Sequence, residues 1–354
     1  MSKKLSVMIL TMVLVLTVAL VGCSKKDELR QAITNGTANV TKLSSYELKS
    51  QFKIKDLSIS SNSLPAIQNA FITGILKDAD ITLDGVYQKE PLQSEMTLGI
   101  HLKGNYSTPY TIPMIVTKDK LYVKLPNLPS YRIPKEAIGK FLEIDPKQLA
   151  EQSGNKFSPE IMDPAQVQKL VSEVVSALLS EYDQATYFFD IDPKDAKLPQ
   201  GVEAKQVVQF KVTNDNLKQA TGTFITKALP KAIDVISKDE YASMLQVNKE
   251  KLAETKKKLQ SNTSEVSKKF NNLTVKQFDI NTALNKNDIP MYQDLNANVE
   301  WNDPTTKDNV KLFVTGYMQY SKINEKATFK LSIPTGDQVL TMEQLKQKMQ
   351  TVAP

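Results

Sequence analysis

Glycine is scarce in this sequence, cysteine and histidine are nearly absent, and neither sign of charge dominates. Twelve glycines stand among 354 residues, about half of the usual ~7 % share. None of them can be threaded into G-x-G-x-x-G or G-x-x-x-x-G-K-[ST]. The backbone cradles that hold dinucleotides and triphosphates are therefore excluded. One Cys and one His exclude the Cys/His-rich zinc sites, which need about three or four ligands. A nucleophile–base triad would have to rest on His101 alone. The formal net charge of +6 is spread over interspersed Lys, Arg, Asp and Glu, which is not the footprint of a nucleic-acid binder. Most well-marked enzyme classes drop out on these grounds, and nothing in the residue pattern asks for a cofactor.

What is present begins at the N-terminus. Lys3 and Lys4 precede an uncharged stretch from Leu5 to Val21, followed by Leu20-Val21-Gly22-Cys23 and the polar run Ser24-Lys25-Lys26-Asp27-Glu28. The apolar run, about 17 residues, is at the lower limit for a membrane-spanning helix, and a retained anchor is the competing reading. Gly22 before Cys23, with Leu20 three positions ahead of it, resembles a bacterial lipobox. That resemblance implies diacylglyceryl transfer to the Cys23 thiol and cleavage after Gly22. The expected plan is a signal peptide at 1–22, a lipidated tether at 23–28 and one domain over 29–354. The mature chain would be exported and held by its lipid on the outer side of the cytoplasmic membrane. With no second Cys there is no disulfide, so stability must come from the core.

Beyond the tether, periodicity predicts long strands interrupted by a few helices. Leu29, Ala32, Ile33, Val40 and Leu43 have helical spacing. Tyr46 to Ile59 alternates apolar and polar residues, as a half-buried antiparallel strand does. Leu64, Ile67, Phe71 and Ile75 suggest a short amphipathic helix over 64–76. Alternation resumes in Ile81–Tyr87, Met96–Leu102, Thr111–Val116 and Lys120–Leu125, with a tight hairpin expected at Asp119-Lys120. Asp163-Pro164 opens the clearest helix: Asp163 is a good N-cap and Pro164 suits the first turn. Its apolar face is broad, running from Val167 through Leu170, Val171, Val174, Val175, Leu178 and Leu179 to Tyr182. Strands are expected at Ala185–Ile191, Gln206–Thr213 and Thr221–Ile236 with a break at Pro230. Residues 248–272 are rich in lysine and carry only Leu252, Leu259, Val266 and Phe270 as an apolar stripe, the pattern of an exposed helical excursion. Further strands are expected at Asn298–Trp301, Lys311–Tyr320 and Ala327–Ile333. A last helix follows from Thr341, whose T-x-x-Q reads as a capping box. Consecutive strands without β-α-β alternation predict an α+β fold with one large antiparallel sheet.

Four segments carry a family resemblance: Ser45-Tyr46 opening a long strand; Lys120-Leu121-Tyr122-Val123-Lys124; Thr226-Lys227-Ala228-Leu229-Pro230-Lys231-Ala232; and Tyr320-Ser321-Lys322-Ile323-Asn324 leading to Phe329 and Ile333-Pro334. Together with the lipobox they are similar to the LolA/LppX/LprG-like bacterial surface lipoproteins, over roughly Leu29 to Pro334. The resemblance implies a strongly curved antiparallel half-barrel with helices over its concave apolar face, a face that in some members holds acyl chains. It carries over no catalytic residue. Core and ligand cavity would share one face, so a cavity would be lined by Phe52, Ile54, Leu98 and Ile100 from the sheet and by Leu170, Val171, Val174, Val175 and Leu178 from the helix. The residues at 64–76 and 248–272 depart from the family pattern as insertions.

The remaining chemical candidates have plain readings. His101 alternates away from Ile100 and Leu102, onto the polar side. Asp190-Ile191-Asp192 begins like a calcium loop, but Lys194 and Gly201 stand where ligands are needed. Trp301, before Asn302-Asp303-Pro304, reads as packing at a strand end. The leading expectation is a membrane-anchored, non-enzymatic lipoprotein that binds or carries an apolar ligand such as a lipid. The alternative is an anchored interaction module with a filled core, acting in envelope assembly or signalling; no protein partner can be named. If Cys23 carries the lipid, Cys23→Ser leaves an uncleaved precursor that incorporates no radioactive palmitate. Undiminished labelling of that variant would remove the anchoring claim. Each buried CH₂ contributes ~0.8 kcal/mol, so two or three acyl chains at one Cys hold a domain firmly.

Overall fold

The computed structural model describes residues 29–60, 73–102, 109–127, 133–152, 158, 160 and 163–352. The leader, Cys23 and most of the expected 64–76 helix lie outside the described residues; positions 73–76 are helical. In chain order, α1 (Leu29–Val40) leads into β1 (Ser45–Ser60), β2 (Asp80–Gln88), β3 (Gln93–His101), β4 (Tyr110–Thr117), β5 (Leu121–Lys124) and β6 (Phe141–Ile144). Then come α2 (Pro146–Gln152), α3 (Pro164–Leu179), α4 (Gln184–Tyr187), β7 (Phe188–Ile191) and β8 (Gln206–Lys211). A helical block follows: α5 (Asn214–Thr223), a π-turn at Phe224–Ala228, α6 (Leu229–Ile236), α7 (Asp239–Leu245), α8 (Lys249–Ser261) and α9 (Thr263–Phe270). The chain returns to strands in β9 (Leu273–Leu284), β10 (Pro290–Asn302) and β11 (Asn309–Ser321), and ends with β12 (Val339–Thr341) and α10 (Met342–Val352).

Among the described residues, all twelve strands belong to one open sheet, in the order β12-β6-β5-β4-β3-β2-β1-β11-β10-β9-β8-β7. Every neighbouring pair is antiparallel except β12 with β6. The architecture is thus α+β, with a large, mostly antiparallel sheet that does not close. The β1–β11 pair joins the two halves, from Glu47↔Ser321 to Ser60↔Asn309.

The period of two sets the faces. One row runs across seven strands as Ile100, Ile81, Phe52, Gly316, Leu295, Ile280 and Phe210. The adjacent row on the other face reads Lys53, Thr315, Asn296, Asp279 and Lys211. Helices cover the apolar face. Leu170, Val174, Val175, Leu178 and Leu179 of α3 pack with Ala32 and Ile33 of α1 and with Phe188, Val208 and Phe210 of the sheet. A β-bulge between Ile54 and Asp56 restores Leu57 to the face of Ile54, where it pairs with Leu312.

Local chemistry sets the helix ends. The Asp163 side chain accepts from the Ala165 N–H, with Pro164 in the first turn. At α10 the Gln344 N–H donates to Thr341 Oγ1 at 3.2 Å, and the Thr341 N–H donates to Gln344 Oε1 at 2.9 Å. The 248–272 excursion is helical, as α8 and α9, with Leu252, Leu259, Val266 and Phe270 half-buried. Lys256 pairs with Asp234 and Lys249 with Asp239.

Four expectations are corrected. Of the strand expected at Ala185–Ile191 only Phe188–Ile191 is extended, because Ala185–Tyr187 belong to α4, capped by Asp183. Thr221–Ile236 is helical, including Thr226–Ala232, one of the segments that carry the family resemblance. Its β-branched residues suggested a strand, but the buried positions Leu217, Ala220, Ile225, Ala228, Ala232 and Ile233 have helical spacing. The Leu229 N–H donates five residues back to the Phe224 carbonyl, and this wide turn lies just ahead of Pro230, which has no N–H to donate. Ala327–Ile333 is not a strand. The Lys330 and Leu331 N–H groups donate to the buried Glu95 carboxylate at 2.7 and 2.8 Å, and Leu331 packs on Ile115, Tyr122 and Phe141. Finally, β9 and most of β10 are strands that periodicity missed. A register shift between Val275 and Gln277 breaks the period of two.

Asp163→Ala removes the α3 cap and is expected to cost about 1 kcal/mol. The check is the urea midpoint at unchanged m-value; an unmoved midpoint would show that the cap contributes nothing.

Candidate functional site

Between α1, α3 and the apolar face lies a cavity of about 580 Å³, within the ~300–1,000 Å³ span of ligand pockets. Alternate residues of each strand build its wall. Leu48, Ser50 and Phe52 come from β1, Ile81 and Leu83 from β2, Met96 from β3, Met114 and Val116 from β4, and Leu295 and Met318 from β10 and β11. Pro164, Val167, Gln168 and Val171 form the roof on α3. Many of these apolar side chains are only half-buried although they face inward, because the space before them is hollow. Met96 and Met114 are direct cross-strand partners, and with Met318 they give the wall flexible, polarisable surface that adapts to varied shapes.

Two strand glycines, Gly316 in the wall and Gly85 beside it, leave room for the side chains of the neighbouring strand. A Cβ on Gly316 would lie 3.2 Å from the Gln51 carbonyl oxygen and 3.3 Å from Phe52 Cδ2. A Cβ on Gly85 would lie 3.2 Å from the Glu95 carbonyl oxygen and 3.4 Å from Met96 Cγ.

One end of the cavity is polar but uncharged. Gln168 Nε2 donates to the Tyr46 hydroxyl. The Tyr46 ring stacks on Tyr87 at 4.9 Å and meets Tyr320 edge-on at 5.2 Å. The buried Gln293 donates to Thr282 Oγ1 at 3.4 Å. Burial, reinforced by Tyr320 and Tyr87, pushes the Tyr46 phenol far above its ordinary value. Burial pushes Tyr320 up to about 12.

Of the residues expected to line a cavity, Phe52 and Val171 are in the wall. Leu98 and Ile100 continue the same face of β3 beyond Met96, paired with Leu83 and Ile81 of the wall. Ile54 belongs to a neighbouring cluster with Leu57, Ala79, Leu312 and Val314. Leu170, Val174, Val175 and Leu178 are buried in the packed core with α1. The helix therefore divides its broad face, with Val167 and Val171 on the cavity and the next columns on the core. The β2 and β4 wall residues were legible as alternating positions, but neither Gly316 nor the Gln168–Tyr46 pair carries a sequence signal.

The opposite face of β8–β10 is a polar network. Gln209 Nε2 donates to Asn281 Oδ1, Asn281 and Asn296 donate to Asp294 Oδ1, and Asn296 and Gln277 donate to Asp279. Burial raises the Asp294 carboxyl, its amide partners oppose the rise, and the nearby Asp279 adds to it. This arrangement satisfies buried polar atoms on the sheet. His101 is exposed at the end of β3. Asp192 accepts from the Lys194 N–H at 2.9 Å, which makes its segment a turn. Trp301 lies near the end of β10, opposite Leu273 and Val310. Among the described residues no cluster of His, Cys, Asp and Glu could hold a metal ion, and no helix is long and apolar enough to cross a membrane.

No family model and no curated protein matches the sequence. Among solved structures, the chain is similar to one titled "Lipid-protein interactions in lipovitellin", at 10% identity and a TM-score of 0.22, with 81% of this chain covered. The match spans 26% of that protein's chain. At that score the likeness carries no argument about fold or function.

The tyrosines generate a pH prediction. A phenol raised in the folded state contributes its stability in full below the unfolded pKa, ~10, and loses it as pH rises toward the folded value. The denaturation midpoint should hold from pH 8 to 9 and fall from about pH 10 towards 12, with tyrosinate absorbance appearing alongside unfolding. Tyr46→Phe should flatten part of that decline. A midpoint independent of pH up to 12 would contradict it.

Proposed function

We propose that this chain is an exported, lipid-anchored protein of the LolA/LppX/LprG-like kind, non-enzymatic, whose half-barrel binds or carries an apolar ligand such as a lipid. The observation that carries this reading is the hollow of about 580 Å³ on the helix-covered face, with apolar side chains left half-exposed around it. A recess lined almost wholly by apolar side chains is the kind of surface that takes an apolar ligand. The lipobox at Leu20–Cys23 supports the anchoring half of the proposal, and the flexible inward-facing Met96, Met114 and Met318 support the binding half. The competing module with a filled core fits the α1–α3 packing but leaves the cavity without a role.

Native mass spectrometry of gently extracted protein should show a bound lipid mass. Val171→Trp places an indole in the roof and should abolish uptake of a fluorescent acyl probe while leaving cooperative unfolding intact. Val174→Trp overpacks the solid core instead, and should destabilise by ~1–3 kcal/mol. Wild-type protein that takes up no acyl probe and carries no lipid would favour the interaction module.

A further inference from the structure

The wall of the cavity also says what the ligand's polar end must be. Among the described residues lining it there is no Lys, Arg or His. Asp294 is the lone charged residue of the lining, and its side chain is hydrogen-bonded to Asn281 and Asn296 on the opposite face of the sheet. The polar groups facing inward are neutral: the Tyr46 and Tyr320 hydroxyls, Thr37, Ser50, Gln168 and Gln293. The Tyr46 hydroxyl already accepts from Gln168, so its own O–H proton is left to donate. An acyl carbonyl is the acceptor that such a donor fits.

We infer that the cavity selects acyl chains joined through an uncharged carbonyl, an ester or an amide, and refuses ionised carboxylates and phosphates. This rests on the lipid-binding reading and specifies its ligand class. Desolvation is the reason. The burial that holds the Tyr46 and Tyr320 phenols neutral well above their ordinary range acts equally on a ligand's acid group. With no cation in the described wall to offset it, a fatty acid would enter only in its protonated form. The ionised form of Asp294, just behind the wall, adds repulsion of the same sign. The ester carbonyl is placed at Tyr46, and the chain runs along β1 towards Phe52. Six residues at ~3.3 Å each give it about 20 Å, room for a long acyl chain.

The test uses the full chain, purified free of detergent, and three probes with the same tail-end fluorophore: a long-chain fatty acid, its methyl ester and the corresponding hydrocarbon. Kd is measured from pH 5 to pH 9. The ester should bind with the same Kd throughout. The acid should weaken as it ionises, by at least about 100-fold between pH 5 and pH 8, since each unit above its pKa removes tenfold of the neutral form. Acid binding at pH 8 within about threefold of the ester would overturn the inference while leaving lipid binding in place. Uptake of none of the probes at any pH would remove the lipid-binding reading itself. Tyr46→Phe should weaken the ester by about three- to tenfold, the worth of one hydrogen bond, without changing the hydrocarbon. Equal loss for both probes, or no loss for either, would overturn the role given to the Tyr46 hydroxyl.

Discussion

The pairing of β1 with β11 is the constraint on which the rest of this structure depends. It joins residues about 270 positions apart, Glu47 to Ser321 at one end, and it is the seam between two meanders running outwards in opposite directions. Neither meander alone builds the cavity. Its wall needs Ile81 and Met96 from one side of the seam and Leu295 and Met318 from the other. Such non-local pairing pays its loop-closure entropy before any contact rewards it, so the fold is intrinsically slow to form.

Much of the sheet was legible because one face is apolar and the other polar. Where the period of two runs unbroken, as in Tyr46–Ile54 or Met96–Ile100, the strand and its inward residues follow from alternation. Where a bulge resets the parity, it does not. Ile54 and Leu57 share a face although three positions separate them, and β9 disappears behind the shift at Val275–Gln277. The strands facing the polar network were hidden for a second reason: Asn and Asp are poor strand formers by propensity, yet Asn281, Asp294 and Asn296 satisfy one another there.

The candidate site was half legible for a related reason. Alternation and helical spacing tell which face a residue takes, not whether the space before it is filled. Val171 and Val174 are alike in sequence. Val171 is half-buried and lines the hollow, whereas Val174 is buried in the core cluster that also holds Ala32 and Ile33 of α1. That division is a tertiary fact with no local signature. The same is true of the C-terminal segment, where Leu331 alternates like a strand residue but is held by Glu95.

The two borders of the sheet are short. β12 has three residues and β7 four, against thirteen in β10 and β11. An open sheet ordinarily risks growing by adding a neighbour's strand to its unpaired edge. Here a second molecule would find room for only a few backbone hydrogen bonds at either border, too few to nucleate a shared sheet. The long strands are interior in the sheet order, and where β9 runs past β8 the Val275 N–H is taken by Asn214 Oδ1. Twelve strands can thus remain open, and give access to a hollow, without the molecule polymerising through its own hydrogen-bonding groups.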